Sequence, residues 1–216
     1  MSRWFEKKQD GGSSTPAQVL TGPKAPRHSG GWAVLRRRLQ AESGLRIIDV
    51  GYTSSSNINY LTGLGHSVFL ADLVQDAWGG DWQRGTDADG NPAWDIEGYL
   101  GQTLSFRGRK FDVVLLWTAL DYLPEPLLAP VVGHLLSAMN PGGQALAFFH
   151  TRTKGEETVH CRFHVTASDE VEFQLAQPFP IQRALTNRSI ERLFAGWQGH
   201  QQFLAKDSVS EALFTV

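Results

Sequence analysis

The stretch Arg46-Ile47-Ile48-Asp49-Val50-Gly51 is an aliphatic run closed by glycine. Such a run is typical of a strand that is buried on both faces of a parallel sheet. The hydroxyl residues that follow predict a helix over 54–64, and Ser67-Val68-Phe69-Leu70-Ala71-Asp72 predicts a second buried strand. A strand, a helix and a strand within about 30 residues indicate a βαβ unit with a right-handed crossover.

Alternating helix and strand patterns continue on both sides of this unit. Upstream, Trp32, Leu35 and Leu39 recur at helical spacing. Downstream we expect strands at 111–117 and 144–150, a helix over 127–139 and a turn at 140–143, then a helix over 187–194 and strands at 201–205 and 212–216. The segment 73–108 shows no clear periodicity. The chain therefore belongs to the α/β class.

The domain organisation follows from two changes in composition. Residues 1–30 are rich in Gly, Ser, Pro and Thr, which predicts a flexible amino-terminal arm, and residues 31–216 form the predicted domain. Within the domain, alternating residues on either side of 167–170 predict an antiparallel β-hairpin near 158–176. Trp4 and Phe5 in the arm are candidates for docking a protein partner.

Composition excludes several classes of protein. The 216 residues are 41% hydrophobic and 11% aromatic with a formal net charge of −2, which argues against global disorder and against nucleic-acid binding driven by bulk charge. The sequence shows neither a secretion signal nor an apolar run of about 18 residues, so we expect no membrane partner. With a single cysteine, Cys161, a reducing cytoplasm is the expected location.

Three strand ends carry the candidate binding residues, because ligands of open α/β sheets lie beyond the carboxyl ends of the strands. Asp49, Gly51, Thr53 and Ser55 follow the first strand and offer a close backbone approach and hydroxyl donors to an anionic group. Asp72 ends the second strand, where a carboxylate accepts hydrogen bonds from a ribose diol. The segment 117–124 leaves a third strand and supplies aromatic surface and a carboxylate.

These pieces, in this order, resemble the class I S-adenosylmethionine-dependent methyltransferases over residues 32–216. Residues 47–55 look like the family's cofactor loop and 68–73 like its acidic strand end. Residues 111–124 look like its post-strand segment, and 139–143 like its Pro-Gly-Gly turn before the fifth strand. The resemblance implies a Rossmann-like, mostly parallel seven-stranded sheet with an antiparallel carboxyl-terminal edge and helices on both faces. It implies S-adenosylmethionine as cofactor, with the following contact residues: Asp49, Gly51, Thr53, Ser55, Asp72, Leu73 and Trp117.

The glycine loop departs from the family pattern. Family members carry glycine at three alternating positions, whereas here Thr53 and Ser55 follow Gly51. If the resemblance holds, the methyl group passes directly to a small-molecule acceptor that the protein aligns. The candidate catalytic residues are Asp121, Tyr122 and His150, and the base that takes the acceptor's proton is either Asp121, beside Tyr122, or His150.

Two alternatives remain open from the sequence. The altered loop is compatible with a methyltransferase-like fold that serves as a binding or scaffold module, or with an enzyme that uses another nucleoside cofactor. A zinc site is not expected at His160, Cys161 and His164, because in a strand the two histidines share a face and the cysteine points the opposite way.

Overall fold

Four neighbouring parallel strands make up most of the main sheet. The computed structural model describes residues 22–52, 54–86, 88–154, 160–177, 179–203 and 207–216. Its strands are β1 Ala25–His28, β2 Arg46–Val50, β3 Ser67–Ala71, β4 Gln83–Thr86, β5 Pro92–Trp94, β6 Phe111–Trp117, β7 Met139–His150, β8 His160–Val165, β9 Glu170–Gln177, β10 Gly199–Phe203 and β11 Val209–Thr215. Its helices are α1 Gly30–Ala41, α2 Ser55–Gly63, α3 Leu73–Gly79, α4 Ile96–Thr103, α5 Ala119–Tyr122, α6 Glu125–Ala138 and α7 Asn187–Leu193.

The main sheet has the order β10-β11-β7-β6-β2-β3. The strands β3, β2, β6 and β7 are parallel, and β11 runs antiparallel between β7 and β10. The predicted Rossmann-like α/β fold with an antiparallel carboxyl-terminal edge is confirmed. The predicted count of seven strands is not confirmed, since the main sheet has six among the described residues. In the segment 73–108, the short strands β4 and β5 pair with each other and do not extend the main sheet.

Apolar layers cover both faces of the main sheet. Along β6, Val113 and Leu115 face the layer that contains α1 and α2, whereas Val114 and Leu116 face the layer that contains α4 and α6. This alternation explains why the strand sequence is a continuous aliphatic run, because both of its faces are covered. None of the helices in the described part of the chain is long and apolar enough to cross a membrane.

The predicted turn at residues 140–143 lies inside a strand. β7 already pairs with β6 at Met139, opposite Phe111, and the next pair, Val113 with Gln144, is out of step with the first. Gly142 has a φ of +75°, which a glycine adopts without strain. The Pro-Gly-Gly sequence therefore forms an irregularity within β7, where we had expected a turn before it.

A separate three-stranded sheet, β1-β9-β8, contains the predicted hairpin. β8 and β9 pair antiparallel, with Phe163 opposite Phe173, and β1 pairs along the outer edge of β9. The prediction that residues 1–30 form a flexible arm is therefore wrong for residues 25–30, because these form β1 and the start of α1. Strand β1 has little aliphatic content, and its backbone pairing together with the buried Arg27 holds it in place. The candidate docking residues Trp4 and Phe5 lie outside the described residues.

Candidate functional site

Gly51 and Asp72 lie side by side at the carboxyl ends of β2 and β3. The Gly51 N–H donates to the Ala71 carbonyl at 2.7 Å, and Asp72 is the next residue. Gly51 is half-exposed with a φ of +136°, a conformation that favours glycine. A Cβ built at Gly51 would meet only the Cδ1 atom of Trp117, at 3.6 Å, among the described residues. The backbone at this strand end is thus open to a ligand.

Asp72 also begins a helix. Its Oδ1 accepts a hydrogen bond from the Gln75 N–H at 3.0 Å, which makes it the N-cap of α3. Burial raises the pKa of the Asp72 carboxyl above its usual range. The adjacent Leu73 is fully buried in the core, where its carbonyl accepts from the Tyr99 hydroxyl at 2.8 Å. The structure therefore places the Leu73 side chain in the core and not, as predicted, at a ligand surface.

Asp49 points into the protein and has a protein donor on each carboxylate oxygen. The Trp117 indole Nε1 donates to Oδ1 at 2.7 Å, and the Asn57 amide donates to Oδ2 at 2.9 Å. The side chain is 5% exposed, and burial raises the pKa of its carboxyl although both hydrogen bonds lower it. Asp49 therefore joins β2 to the end of β6 and to α2.

Trp117 forms a wall of the site. It has a φ of +49°, which is strained for a bulky side chain, and its ring is 4% exposed. The indole stacks on Phe163 of β8 with ring centroids 5.1 Å apart and planes 6° apart. The stacking and the hydrogen bond to Asp49 hold the strained backbone in place.

The amino end of α2 is attached to the three-stranded sheet. The Ser54 hydroxyl caps the Asn57 N–H and lies 2.7 Å from Nδ1 of His164, which is also 3.1 Å from the Ser56 hydroxyl. Ser55, a predicted cofactor contact, is exposed on the first turn of α2. Thr53, the other predicted hydroxyl, lies outside the described residues.

Asn57 holds β8 above the loop. Its amide donates to the Phe163 carbonyl at 3.1 Å, and its carbonyl oxygen accepts from the Val165 N–H at 2.7 Å. An amide side chain that both donates to and accepts from a strand backbone continues the hydrogen bonding of that strand. β8 consequently lies beside the carboxyl ends of β2 and β6, next to the open glycine loop.

A buried carboxylate and an imidazole meet at the ends of β6 and β7. Oδ2 of Asp121 accepts from the backbone N–H of His150 at 2.7 Å and lies 2.8 Å from its Nδ1. Asp121 is fully buried, and Oδ1 has no hydrogen-bond partner within the described ranges. Burial raises the pKa of the Asp121 carboxyl, whereas its contacts with His150 lower it.

Aromatic rings enclose this pair. The Tyr122 ring packs edge-on against His150, with ring centroids 5.8 Å apart, and against His160 at 4.9 Å. Burial, aided by the nearby Cys161 and Asp121, raises the pKa of the Tyr122 phenol, so the phenol is neutral at physiological pH. The three predicted catalytic residues, Asp121, Tyr122 and His150, are thus brought together, and His160 joins them from β8.

His160 makes stability depend on pH. Burial, with a smaller contribution from His150, lowers the pKa of His160 to about 4. Because this folded-state pKa lies below the unfolded value of about 6.5, the unfolded chain binds more protons between these limits. Its contribution to stability is complete above about pH 6.5 and is lost as pH falls towards about 4, by up to about 3 kcal/mol.

Urea unfolding of wild type and His160→Phe at about pH 7 and about pH 4.5 tests this prediction. The raised pKa values of Asp49 and Asp121 act in the opposite direction but are shared by both proteins. We expect the variant to lose less stability on acidification than wild type. Equal losses would contradict the role of His160.

The sequence did not identify several of these contacts. His160 and His164 share the face of β8 that meets Tyr122 and Ser54, while Cys161 packs in the apolar layer behind it, as the strand geometry predicts. The roles of Asn57 and His164 depend on where the hairpin lies over the loop. No local sequence signal gives that placement, although an asparagine near the start of a helix that follows a glycine loop was a visible candidate.

Comparisons with known proteins find similar solved structures, whereas no family model and no curated protein matches the sequence. TehB from Haemophilus influenzae is 13% identical over 83% of this chain, with a TM-score of 0.46, and the match covers 60% of TehB. Magnesium protoporphyrin IX methyltransferase from Synechocystis, solved with bound S-adenosylhomocysteine, is 15% identical over 85% of this chain and 78% of its own, with a TM-score of 0.46.

A third similar structure is 1,6-didemethyltoxoflavin-N1-methyltransferase from Burkholderia thailandensis. It is 13% identical over 87% of this chain and 77% of its own, with a TM-score of 0.42. This chain therefore spans about three fifths of the length of TehB and more of the other two proteins. At such low identities, function has to be inferred from this chain's own residues.

Proposed function

We propose that the protein binds S-adenosylmethionine across the ends of β2 and β3 and transfers its methyl group to a small-molecule acceptor. The observation that carries the proposal is the adjacency of Gly51 and Asp72, joined by the 2.7 Å hydrogen bond from the Gly51 N–H to the Ala71 carbonyl. An open glycine backbone beside a strand-end carboxylate is the arrangement that accommodates a nucleoside at a parallel sheet.

The residues present fit this cofactor. The half-exposed Gly51 allows close approach of a ligand, and the Asp72 carboxylate is placed to accept hydrogen bonds from ribose hydroxyls. Asp49 and Trp117 bond to each other and shape the loop from behind, so we assign them a supporting role without direct hydrogen bonds to the ligand. Ser55 is exposed at the start of α2, where a hydroxyl is available to solvent or ligand.

The cofactor, when bound, supplies an activated methyl group with its own leaving group. The protein's part is to align the acceptor and to take its proton. Asp121 holds Nδ1 of His150, and this contact directs Nε2 to act as the proton acceptor. In this proposal His150 is the base, Asp121 positions it, and Tyr122 packs against it.

The chemistry of the site favours a small, uncharged acceptor. His150 is buried, and the rings of Tyr122 and His160 make its surroundings aromatic and dry. The formal net charge of −2 gives no long-range attraction for a polyanion such as nucleic acid.

A second function is favoured by a different observation. The polar groups behind the loop are already engaged by the protein: Asp49 with Trp117 and Asn57, and Ser54 with His164. A loop held in this way keeps its shape without a ligand. This supports a methyltransferase-like binding module that does not use the cofactor.

Calorimetric titration with S-adenosylmethionine and S-adenosylhomocysteine distinguishes the two functions. We expect both ligands to bind, and NAD, offered as a control nucleotide, not to bind. Ligand concentrations of about 1 mM detect binding free energies as weak as about −4 kcal/mol. If neither ligand gives a heat of binding at this concentration, the result contradicts the proposed enzymatic function and favours the binding module. Binding of NAD in place of both ligands would indicate another nucleoside cofactor.

A further inference from the structure

Arg162 on β8 places a positive charge beside the glycine loop. The proposed chemistry gives this charge no role. Its guanidinium carbon lies 4.4 Å from the ring centroid of Tyr52, the residue that follows Gly51. Its Nε is buried and has no hydrogen-bond partner among the described residues. Arg162 thus lies against the candidate cofactor loop with unused hydrogen-bonding capacity.

Buried and partly buried arginines elsewhere in the protein have carboxylate partners. Arg27 pairs with Asp207 and Glu211, and Arg36 pairs with Asp169. Arg162 is half-buried and has no such ion pair in the part of the chain that the structure describes. Withdrawing a charge from water without a partner costs free energy, and an anionic ligand would recover it.

The position of Arg162 in the sheet order indicates which part of a ligand it would meet. Asp72 lies at the end of β3, Gly51 at the end of the neighbouring β2, and Trp117 at the end of β6. Phe163 and Arg162 point to opposite faces of β8, so Phe163 stacks on Trp117 while Arg162 lies over Tyr52, the residue after Gly51. A ligand held at Asp72 by its ribose therefore extends over Gly51 towards Arg162 with its other end.

We propose that Arg162 binds the carboxylate at the amino-acid end of the cofactor. This inference rests on the proposed function. The planar guanidinium suits a bidentate carboxylate, and the Tyr52 ring beneath it fixes its orientation. The hairpin is then part of the binding site, and the loop's missing glycines are compensated by a charged group from another segment.

The test compares two ligands that share the adenosine part. S-adenosylhomocysteine carries the amino-acid carboxylate, and 5′-methylthioadenosine lacks it. We expect Arg162→Gln to weaken binding of the former at least about tenfold and to change binding of the latter by less than about twofold, because the lost contact is a charge-assisted hydrogen bond. Arg162→Lys keeps the positive charge but lacks the planar guanidinium, so its affinity for S-adenosylhomocysteine should lie between those of wild type and Arg162→Gln.

Arg46→Gln is the matched control, since it removes the same charge from an exposed position at the start of β2, at the opposite edge of the sheet. It should leave both affinities unchanged. Equal weakening of both ligands by Arg162→Gln, or no weakening of either, would overturn the assignment. If wild type binds neither ligand, the proposed function itself fails, and that outcome is distinct from the other two.

Discussion

Replacement of Glu211 by alanine is expected to lower the free energy of unfolding by about 3–5 kcal/mol, because it leaves a buried arginine without its partner. Glu211 of β11 is 3% exposed and forms a short contact with the guanidinium of Arg27. Its other oxygen accepts from the Ser29 hydroxyl at 2.8 Å and from the Gly31 N–H at 2.9 Å. One carboxylate therefore holds both β1 and the amino end of α1.

Urea unfolding measures this effect, with Glu42→Ala as the control. Glu42, the exposed residue that follows α1, pairs with Arg38 at 3.0 Å, and such a pair contributes less than about 1 kcal/mol. A Glu211→Ala protein within about 1 kcal/mol of wild type would show that the network around Arg27 contributes little net stability.

Asp72→Ala is expected to weaken binding of S-adenosylhomocysteine by about 10- to 100-fold, because hydrogen bonds from a ribose diol to a charged group are lost. The same change also removes the N-cap of α3, at a cost of about 1 kcal/mol in stability. Asp72→Asn separates the two effects, since an asparagine still caps the helix but has no negative charge. Calorimetry on both variants gives the affinities.

Asp95→Ala is the matched control for the lost cap. Asp95 caps α4 by accepting from the Gly98 N–H at 2.9 Å, and its side-chain contacts among the described residues are with Gly98 and the exposed Arg84, not with Gly51 or Asp72. It should lower stability by a similar amount without changing affinity. Unchanged affinity in Asp72→Ala would refute the ribose assignment and remove the main support for the nucleoside site.

The parallel core could be predicted from the sequence because a strand buried on both faces is a continuous aliphatic run. Strands β2, β3 and β6 are aliphatic runs, and the observed strands lie within the stretches predicted for them. Strand β1 was missed because it is held by backbone pairing and by one buried arginine, which has no periodic signature. The predicted seventh strand was taken from the family resemblance and not from a pattern in the residues.

The site was predicted in part for a similar reason. Residues at strand ends, such as Gly51, Asp72 and Asp121, could be located because the strands themselves could be located. The contacts of Asn57 and Arg162 depend on the path by which the hairpin returns over the loop, across more than 100 residues of chain. The spacing of residues in the sequence does not show where the hairpin packs relative to the loop.

The hydrogen bonds of Glu211 also constrain how the polypeptide reaches its native state during synthesis. Translation proceeds from the amino end, so Arg27 and Gly31 leave the ribosome long before β11 does. β11 lies between β7 and β10, and its late arrival completes the main sheet and anchors the first ordered segments together. Until then the nascent chain exposes an unpaired edge of β7, the kind of surface that chaperones bind.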